Sequence, residues 1–342
     1  MKQEQQVQEG ISGLAEVRRQ LAKAIVGQDE VVELTLIALL CEGHVLFEGV
    51  PGLGKTLLVR SLARTLNLSF SRVQFTPDLM PADVIGSTVI SQEKGQNYSL
   101  RFEPGPVFAN LVLADEINRA SPKTQSALLE AMQERAVTVR GHRSELPRPF
   151  QVLATQNPLE MEGTYPLPEA QIDRFFFKIL VRHPSLEQLV AIVDLTAGGE
   201  EAELAVCLDA EKLRALQKAV RSVLAPAPIT EFAARIVFAT QPDQEGAPPE
   251  VKRWVRYGSG PRGAQTLVLA AKARALLSGR FHVGLEDIEA LVEPALGHRI
   301  ALNFDGQSEG VTPAVLLEAV VAAVRKARSW PSVIRPDSPQ GE

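Results

Sequence analysis

Cysteine, aromatic residues and long apolar runs are all scarce in this sequence, and each shortage excludes a class of protein. Only two cysteines occur, Cys41 and Cys207, which excludes a disulfide framework and a CxxC zinc or redox pair. Aromatic residues make up 5% of the chain, so the core must be mostly aliphatic. The most apolar early stretch, residues 31–41, contains Glu33 and is too short to span a bilayer.

Targeting signals, metal-binding patterns and excess positive charge are missing as well. The N-terminus is polar and rich in glutamine, unlike a secretory signal, so we expect a cytoplasmic protein without a membrane span. The five histidines are scattered and lack the spacing of a metal pair. A formal net charge of -5 argues against a large nucleic-acid footprint, so no nucleic-acid partner is predicted.

The hydrophobic pattern predicts two domains in the 342 residues. Short apolar runs alternate with helical spacing up to residue 182, which indicates a mostly parallel sheet covered on both faces. Five strands are predicted at 44–50, 69–75, 111–114, 150–155 and 175–181. Beyond His183 only helical spacing remains. The predicted organisation is a flexible tail at 1–10, an α/β core at 11–182, an all-α domain at 183–330 and a disordered tail at 331–342.

Two stretches of the α/β core do not fit the alternation of strands and helices. Residues 87–102 read as a hairpin or small insertion with Lys94-Gly95 at its turn. Residues 136–149 alternate around Gly141 and read as a second hairpin.

A glycine-rich loop between the first strand and the next helix has the pattern G-x-x-x-x-G-K-[ST], from Gly49 to Thr56. Its glycines let backbone N–H groups curl around phosphate oxygens. Lys55 is predicted to neutralise the β- and γ-phosphates, and Thr56 to ligate Mg²⁺. The loop therefore predicts a nucleoside-triphosphate site.

An acidic pair ends the strand at 111–114. Asp115 is predicted to hold Mg²⁺, directly or through water, and Glu116 to orient and deprotonate an attacking water. Asn157 follows the next strand, where it is placed to position the same water or contact the γ-phosphate. Together with the glycine-rich loop, these residues complete one predicted phosphoryl-transfer site.

In this order the motifs resemble the AAA+ ATPases, and more specifically the MoxR family, over roughly residues 10 to 330. The segments that carry the resemblance are Val26-Gly27-Gln28, GVPGLGKT, FTPDLMPADVIG (75–86), FEPGPVFANLVLADEINRASPKTQSALLEAMQE (102–134), ATQNP (154–158), LPEAQIDRF (167–175) and GPRGA (260–264).

The resemblance implies an ATPase with ATP and Mg²⁺ as cofactors, a P-loop core with a five-stranded parallel sheet, and a helical lid. Asn157 resembles sensor 1, Arg174 the arginine finger that reaches a neighbouring subunit, and Arg262 sensor 2; Arg119 is a rival for the finger. The implied nucleotide-binding residues are Val26, Gly27, Gly49, Pro51, Gly52, Leu53, Gly54, Lys55, Thr56 and Leu57.

The resemblance also assigns the two irregular stretches, 87–102 to a helix-2 insert and 136–149 to a pre-sensor-1 hairpin, both facing the pore of a ring. Related unfoldases carry an aromatic residue in that pore, whereas this chain has Val84-Ile85-Gly86. Threading of a polypeptide and remodelling without threading therefore both stay open. The run at 258–263 is richer in glycine than is usual in the family, which implies a looser lid hinge.

The function implied is that of an assembly or remodelling chaperone working as a homo-oligomer, a hexameric ring, with a von Willebrand factor A-domain partner. Such a chaperone matures protein complexes or inserts metals and cofactors. Two alternatives stay open. A nucleic-acid motor of the same clade is disfavoured by the net charge, and a small-molecule kinase is disfavoured because no acceptor-binding lid is evident.

Overall fold

The computed structural model describes residues 2–92, 98–158, 163–197 and 202–327. The chain divides into two compact units, Met1–Ala219 and Val220–Glu342. This division falls later than the predicted 182/183 boundary, and the assignment of functional domains to sequence ranges stays a prediction. The predicted turn at Lys94-Gly95 and the predicted tail at 331–342 lie outside the described residues.

The first unit alternates strands and helices, as the sequence predicts. Its helices are α1 (Lys2–Leu21), α2 (Asp29–Leu40), α3 (Lys55–Thr65), α4 (Pro81–Ile85), α5 (Pro122–Glu134), α6 (Glu169–Ile172), α7 (Leu186–Ala197) and most of α8 (Ala210–Ser222), within which the boundary between the units falls. Its strands are β1 (Val45–Glu48), β2 (Phe70–Gln74), β3 (Gly86–Gln92), β4 (Tyr98–Pro104), β5 (Leu111–Asp115), β6 (Ala136–Val139), β7 (His142–Glu145), β8 (Gln151–Gln156) and β9 (Phe177–Leu180).

Five of these strands form one parallel sheet in the order β2-β5-β8-β1-β9. The inner strands are apolar and buried, because helices cover both faces of a parallel sheet. Val112, Val152 and Leu46 of the sheet pack in one core with Leu128 and Met132 of α5. The predicted fold class, a P-loop core with a five-stranded parallel sheet, is confirmed.

The chain order of the strands differs from their order in the sheet, and this brings the motifs together. β8 lies between β1, which leads into the glycine-rich loop, and β5, which ends at Asp115. Because all five strands are parallel, their carboxyl ends share one edge, where open α/β sheets bind ligands.

Two antiparallel hairpins project from this frame at the positions predicted for them. β3 pairs with β4, with Ile90 opposite Leu100, and both of these side chains are exposed. β6 pairs with β7 around a turn at Arg140 and Gly141, both of which have positive φ.

The first ten residues differ from the predicted flexible tail, because α1 begins at Lys2 and runs through them. Glutamine, glutamate and lysine are good helix formers, which favours continuation of the helix toward the N-terminus. Gly10 is buried, and a side chain there would collide with Leu216. This close packing holds the middle of the helix in the first unit.

The second unit is mostly helical, as predicted. Its elements are α9 (Ala227–Ala239), α10 (Pro249–Trp254), β10 (Val255–Tyr257), α11 (Pro261–Leu277), α12 (Leu285–Glu289), α13 (Val292–Leu296), β11 (Ala301–Leu302), α14 (Phe304–Ser308) and α15 (Pro313–Ala327). None of the described helices of the chain is both long and apolar enough to cross a lipid bilayer.

A short antiparallel pair of strands, β10 and β11, corrects the expectation that no strand follows His183. The segment 242–263, expected to be one long loop, contains α10 and β10. Val255-Arg-Tyr257 has high β propensity. It forms a strand because Ala301 and Leu302, distant in sequence, pair with it.

Candidate nucleotide site

The glycine-rich loop connects β1 to α3 with the geometry of a phosphate cradle. Gly52 and Gly54 have φ of 84° and 75°, in the region that glycine adopts without strain. A Cβ at either position would meet nothing within 4 Å, so the space in front of the loop is open. α3 begins at Lys55, and its N-terminal N–H groups make the loop a site for an anion.

Lys55 lies folded over the loop. Its Nζ donates to the carbonyl oxygens of Gly49 at 2.7 Å and Val50 at 3.1 Å. Burial holds the pKa of Lys55 below its ordinary value, although the negative charges of Asp115 and Glu116 act in the opposite direction. The ammonium group is therefore held against the loop by two backbone carbonyls and interacts electrostatically with the two carboxylates.

The acidic pair lies at the end of β5 and is tied to β8 by one hydroxyl group. Thr155 donates its Oγ1–H to Asp115 Oδ1 at 2.6 Å and accepts the Glu116 N–H at 2.8 Å. Glu116 has a left-handed backbone, with φ of 56° and ψ of 50°, which is uncommon for a residue with a side chain. Such strained positions cluster at functional sites.

Two polar residues of β2, Arg72 and Gln74, also bind these carboxylates. Arg72 donates Nη2 and Nε to Asp115 Oδ2, at 2.7 Å and 3.2 Å. Gln74 donates Nε2 to Glu116 Oε2 at 2.8 Å, and Arg119 donates Nη1 to the same oxygen at 3.0 Å. Both carboxylates are thus held by hydrogen bonds from neighbouring side chains.

These residues surround a cavity of about 680 Å³. The lining includes the predicted residues Pro51, Gly52, Leu53, Gly54, Lys55, Thr56, Leu57, Asp115 and Glu116, joined by Arg60, Arg72 and Gln74. Gly49 lies at the start of the same loop, where its N–H donates to the Gln156 carbonyl at 3.2 Å.

A second cavity, also of about 680 Å³, adjoins the first. Both are lined by Gly52, Leu53 and Gly54. Val26 and Gly27 line the second cavity, opposite apolar side chains of α7. Gln28, next to Gly27, connects this side of the second cavity to the glycine-rich loop by donating Nε2 to the Leu53 carbonyl at 2.8 Å. The two cavities together suit a ligand with a flat apolar part and a charged part.

The oxygen atoms of Thr56 and Asp115 are ligands of the type that Mg²⁺ prefers. Across the described ranges of the chain, no cluster of three or more His, Cys, Asp or Glu side chains is placed to hold a metal ion. A divalent cation bound here would therefore take further ligands from phosphate oxygens and water, as Mg²⁺ commonly does.

The lining of this cavity does not include three of the predicted site residues, Asn157, Arg174 and Arg262. Asn157 is buried directly after β8, between the strands that carry the loop and the acidic pair. Arg174 lines a separate cavity of about 240 Å³ beside α5 and donates Nη1 to the Leu129 carbonyl at 3.1 Å. Arg262 lies in the second unit, in the first turn of α11.

Sequence reasoning missed Arg72, Gln74 and the bridging role of Thr155. A signal was present for the first two: in the predicted strand at 69–75 they alternate with the apolar Val73, so they share one side of the strand. Their partners became apparent only with the register, in which Gln74 lies opposite Asp115.

Comparison with known proteins identifies the general class of ATPase to which the chain is similar. Residues 44–177 match the model of the ATPase family associated with various cellular activities (AAA), and residues 250–320 match that of an AAA lid domain. A crystal structure of a candidate ATPase from Cytophaga hutchinsonii superposes with a TM-score of 0.87 at 37% identity, covering 94% of this chain and 96% of that one.

Individual relatives narrow the class to one family. The chain is 42% identical over 305 residues to Chaperone MoxR1 of Mycobacterium tuberculosis, covering 89% of this chain and 80% of the relative. It is 35% identical over 308 residues to Protein MoxR of Methylorubrum extorquens, covering 84% and 88%. The chain belongs to the MoxR family of AAA+ ATPases, which confirms the resemblance seen in its motifs.

Proposed function

We propose that the chain binds ATP with Mg²⁺ and hydrolyses it to ADP and phosphate. The observation that carries the proposal is the single cavity in which the glycine-rich loop, Lys55, Asp115 and Glu116 meet. Lys55 and the backbone N–H groups of the loop would hold the β- and γ-phosphates. Thr56 and Asp115 would hold Mg²⁺, which supplies charge neutralisation at the transferred phosphoryl group.

Glu116 is the proposed acceptor of the proton from the attacking water, and Asn157 the proposed group that orients this water. In the structure Glu116 Oε2 already accepts two hydrogen bonds, from Gln74 and Arg119. To act as a base, Glu116 would need the water within direct hydrogen-bond reach of one of its two carboxylate oxygens.

The active form in this proposal is a homo-oligomer, a hexameric ring, in which Arg174 of one subunit completes the site of the next. Two observations favour Arg174 over Arg119 as the residue acting in trans. Arg119 binds Glu116 of its own nucleotide site, whereas Arg174 does not line that site and lies in a separate cavity beside α5, where it donates to the Leu129 carbonyl. An arginine fork that reaches a neighbouring γ-phosphate can spread over its developing charge.

The lid, proposed for residues 183–330, would contribute Arg262 as sensor 2. The proposed biological role is that of a cytoplasmic remodelling or assembly chaperone that works with a von Willebrand factor A-domain protein in maturing protein complexes or inserting metals and cofactors. Membership of the MoxR family supports this role, and one relative is itself called a chaperone.

Mixing two inactive variants tests both hydrolysis and the trans role of Arg174. We expect Arg174→Ala to lower phosphate release about 10³-fold or more, because an arginine finger contributes about 10³–10⁵ to the rate. Glu116→Gln is expected to bind ATP without turnover. In a mixture, the finger of a Glu116→Gln subunit would serve the intact site of an Arg174→Ala neighbour, so phosphate release should rise well above that of either variant alone.

The matched control is the same mixture with Arg119→Ala in place of Arg174→Ala. The size of the assemblies is measured for each mixture in the presence of a non-hydrolysable ATP analogue. Absence of rescue with Arg174→Ala, in rings shown to contain both variants, would mean that Arg174 acts within its own subunit. A chain that remains monomeric and still hydrolyses ATP at full rate would contradict the ring itself.

A further inference from the structure

Arg72 occupies one oxygen of the Asp115 carboxylate. Two of its N–H groups, Nη2 and Nε, donate to Asp115 Oδ2 at 2.7 Å and 3.2 Å. The other oxygen, Oδ1, accepts the Thr155 hydroxyl at 2.6 Å. Both oxygens of the proposed metal-binding carboxylate therefore already have hydrogen-bond donors, and the donor on Oδ2 is a cation that lines the nucleotide cavity.

The ion pair is buried on one side only, since the Asp115 side chain is 16% exposed and that of Arg72 is 48% exposed. What distinguishes it from a single surface contact is that two charge-assisted hydrogen bonds reach one oxygen. Arg72 is further anchored on its own strand, because Nη2 also donates to Gln74 Oε1 at 2.9 Å. The guanidinium group is thus held in place on the Asp115 carboxylate.

A divalent cation and Arg72 would both bind the Asp115 carboxylate. Mg²⁺ binds carboxylates either directly or through one of its own waters, and either arrangement needs a lone pair that faces the metal. Asp115 Oδ1 is turned to Thr155, which itself holds the Glu116 backbone. Thr155 thus takes up one lone pair of Oδ1 and fixes that oxygen toward β8, whereas Oδ2 faces the cation Arg72. The positive charge of Arg72 opposes a second cation beside the same carboxylate.

We propose that Arg72 is a positioning residue that competes with Mg²⁺ for the Asp115 carboxylate, holding this carboxylate neutralised until the metal displaces the guanidinium group. The inference rests on the proposed nucleotide site and adds to it a residue that sets the metal requirement. Arg72 acts through Asp115, since its contacts are with that carboxylate and with Gln74.

Two measurable consequences follow from the competition. Removing Arg72 should lower the Mg²⁺ concentration needed to saturate the site, because the metal no longer has to displace a bound cation. It should also weaken nucleotide binding in the absence of metal, because Asp115 and Glu116 would then repel the polyphosphate. Loss of a residue with only a structural role would not lower the Mg²⁺ requirement while weakening nucleotide binding in the absence of metal.

The experiment measures binding of a non-hydrolysable fluorescent ATP analogue to the full chain, first with EDTA and then in a Mg²⁺ titration. For Arg72→Gln we expect about tenfold weaker binding in EDTA and about a tenfold lower Mg²⁺ midpoint, since a hydrogen bond between charged groups corresponds to about a factor of ten. Arg72→Lys should restore part of both shifts, because it keeps the charge without the two-pronged contact.

Two further variants separate Arg72 from the general charge of the cavity. Arg60→Gln removes the same charge from another residue of the cavity lining and should leave the Mg²⁺ midpoint near that of the unsubstituted chain. In an Asp115→Asn background, Arg72→Gln should no longer change the midpoint, because the shared carboxylate has lost its charge.

The outcomes distinguish this inference from the proposed function. If the unsubstituted chain fails to bind the analogue even with Mg²⁺, the proposed function fails. If it binds, and Arg72→Gln, with an unchanged circular dichroism spectrum, has the same Mg²⁺ midpoint, only the role of Arg72 is overturned. An equal shift for Arg60→Gln would overturn it as well, since the effect would then belong to the charge of the whole cavity.

Discussion

His44, directly before β1, shows how a single buried residue makes stability depend on pH. Its Nδ1 accepts the Val152 N–H at 2.9 Å, and its Nε2 lies 3.1 Å from the Met132 carbonyl. The proton of the neutral ring therefore belongs on Nε2, where it donates to that carbonyl. Burial lowers the pKa of His44 to about 4, only partly offset by the Met132 hydrogen bond, with the charge of Arg135 adding to the decrease.

The free energy of unfolding is accordingly expected to fall as the pH falls from about 6.5 to about 4. In this window the unfolded chain binds a proton at His44 that the folded chain does not, so the unfolded state gains stability. The contribution lost by pH 4 is on the order of 3 kcal/mol, from the difference between the two pKa values. Urea unfolding of the whole chain at several pH values measures it.

Two variants check that the effect comes from His44. His44→Gln should flatten the pH dependence in this window, whereas substitution of the exposed His142 by Gln should leave it unchanged. An imidazole signal of His44 that titrates above pH 6 in the folded chain would contradict the account.

Also at the residue scale, the site residues that could be predicted from the sequence are those that belong to a short motif. Lys55, Thr56, Asp115 and Glu116 are each recognisable from their immediate neighbours, and the structure brings all four to one cavity. Arg72 has no such local motif. Its partner Asp115 lies 43 positions away and becomes a neighbour only through the pairing of β2 with β5.

At the scale of elements, α12 is joined to the rest of the second unit by a buried carboxylate in addition to its buried apolar side chains, Leu285 and Ile288. Asp287 accepts hydrogen bonds from Arg280 and from Arg274 of α11, and its side chain is fully buried. Burial by itself would raise the pKa of Asp287. The hydrogen bonds from Arg280 and Gly284 and the charges of the two arginines outweigh it and hold the pKa below its usual range.

We expect Asp287→Asn to destabilise the second unit by roughly 2–3 kcal/mol, because two arginines lose a charged hydrogen-bond partner. The stabilisation by Asp287 is fully present above the pKa of an unfolded aspartate and is lost as the pH falls through the lower folded value. Glu286→Gln, at the exposed neighbouring position, is the control and should change stability by no more than about 0.5 kcal/mol. Equal thermal stability of Asp287→Asn and the unsubstituted chain would contradict this role.

Elements with strong periodicity were predicted well, and those that depend on distant partners were not. The five strands of the sheet and the long helix α11 lie where the pattern indicated. β10 and β11 were missed because each is at most three residues long and is stabilised only by the other. The helical start of α1 was missed because its first turns are polar on all sides, which leaves no apolar stripe to detect.

At the scale of the whole molecule, the topology of the parallel sheet assembles the candidate nucleotide site. The parallel order β2-β5-β8-β1-β9 places the glycine-rich loop, the acidic pair and Asn157 on the carboxyl ends of adjacent strands. Sequence motifs predicted the members of this site, and family membership supports the ATPase class. Hydrogen bonds from Arg72, Gln74 and Thr155 add a set of polar contacts that only the folded chain reveals.

Release of phosphate from ATP by the purified full chain, measured with Mg²⁺ at a concentration that permits assembly, tests the central claim most directly. The account predicts turnover by the unsubstituted chain, loss of nucleotide binding in Lys55→Ala, and retained ATP binding without turnover in Glu116→Gln. A chain that neither binds ATP nor releases phosphate would contradict the account, and so would full turnover by Glu116→Gln.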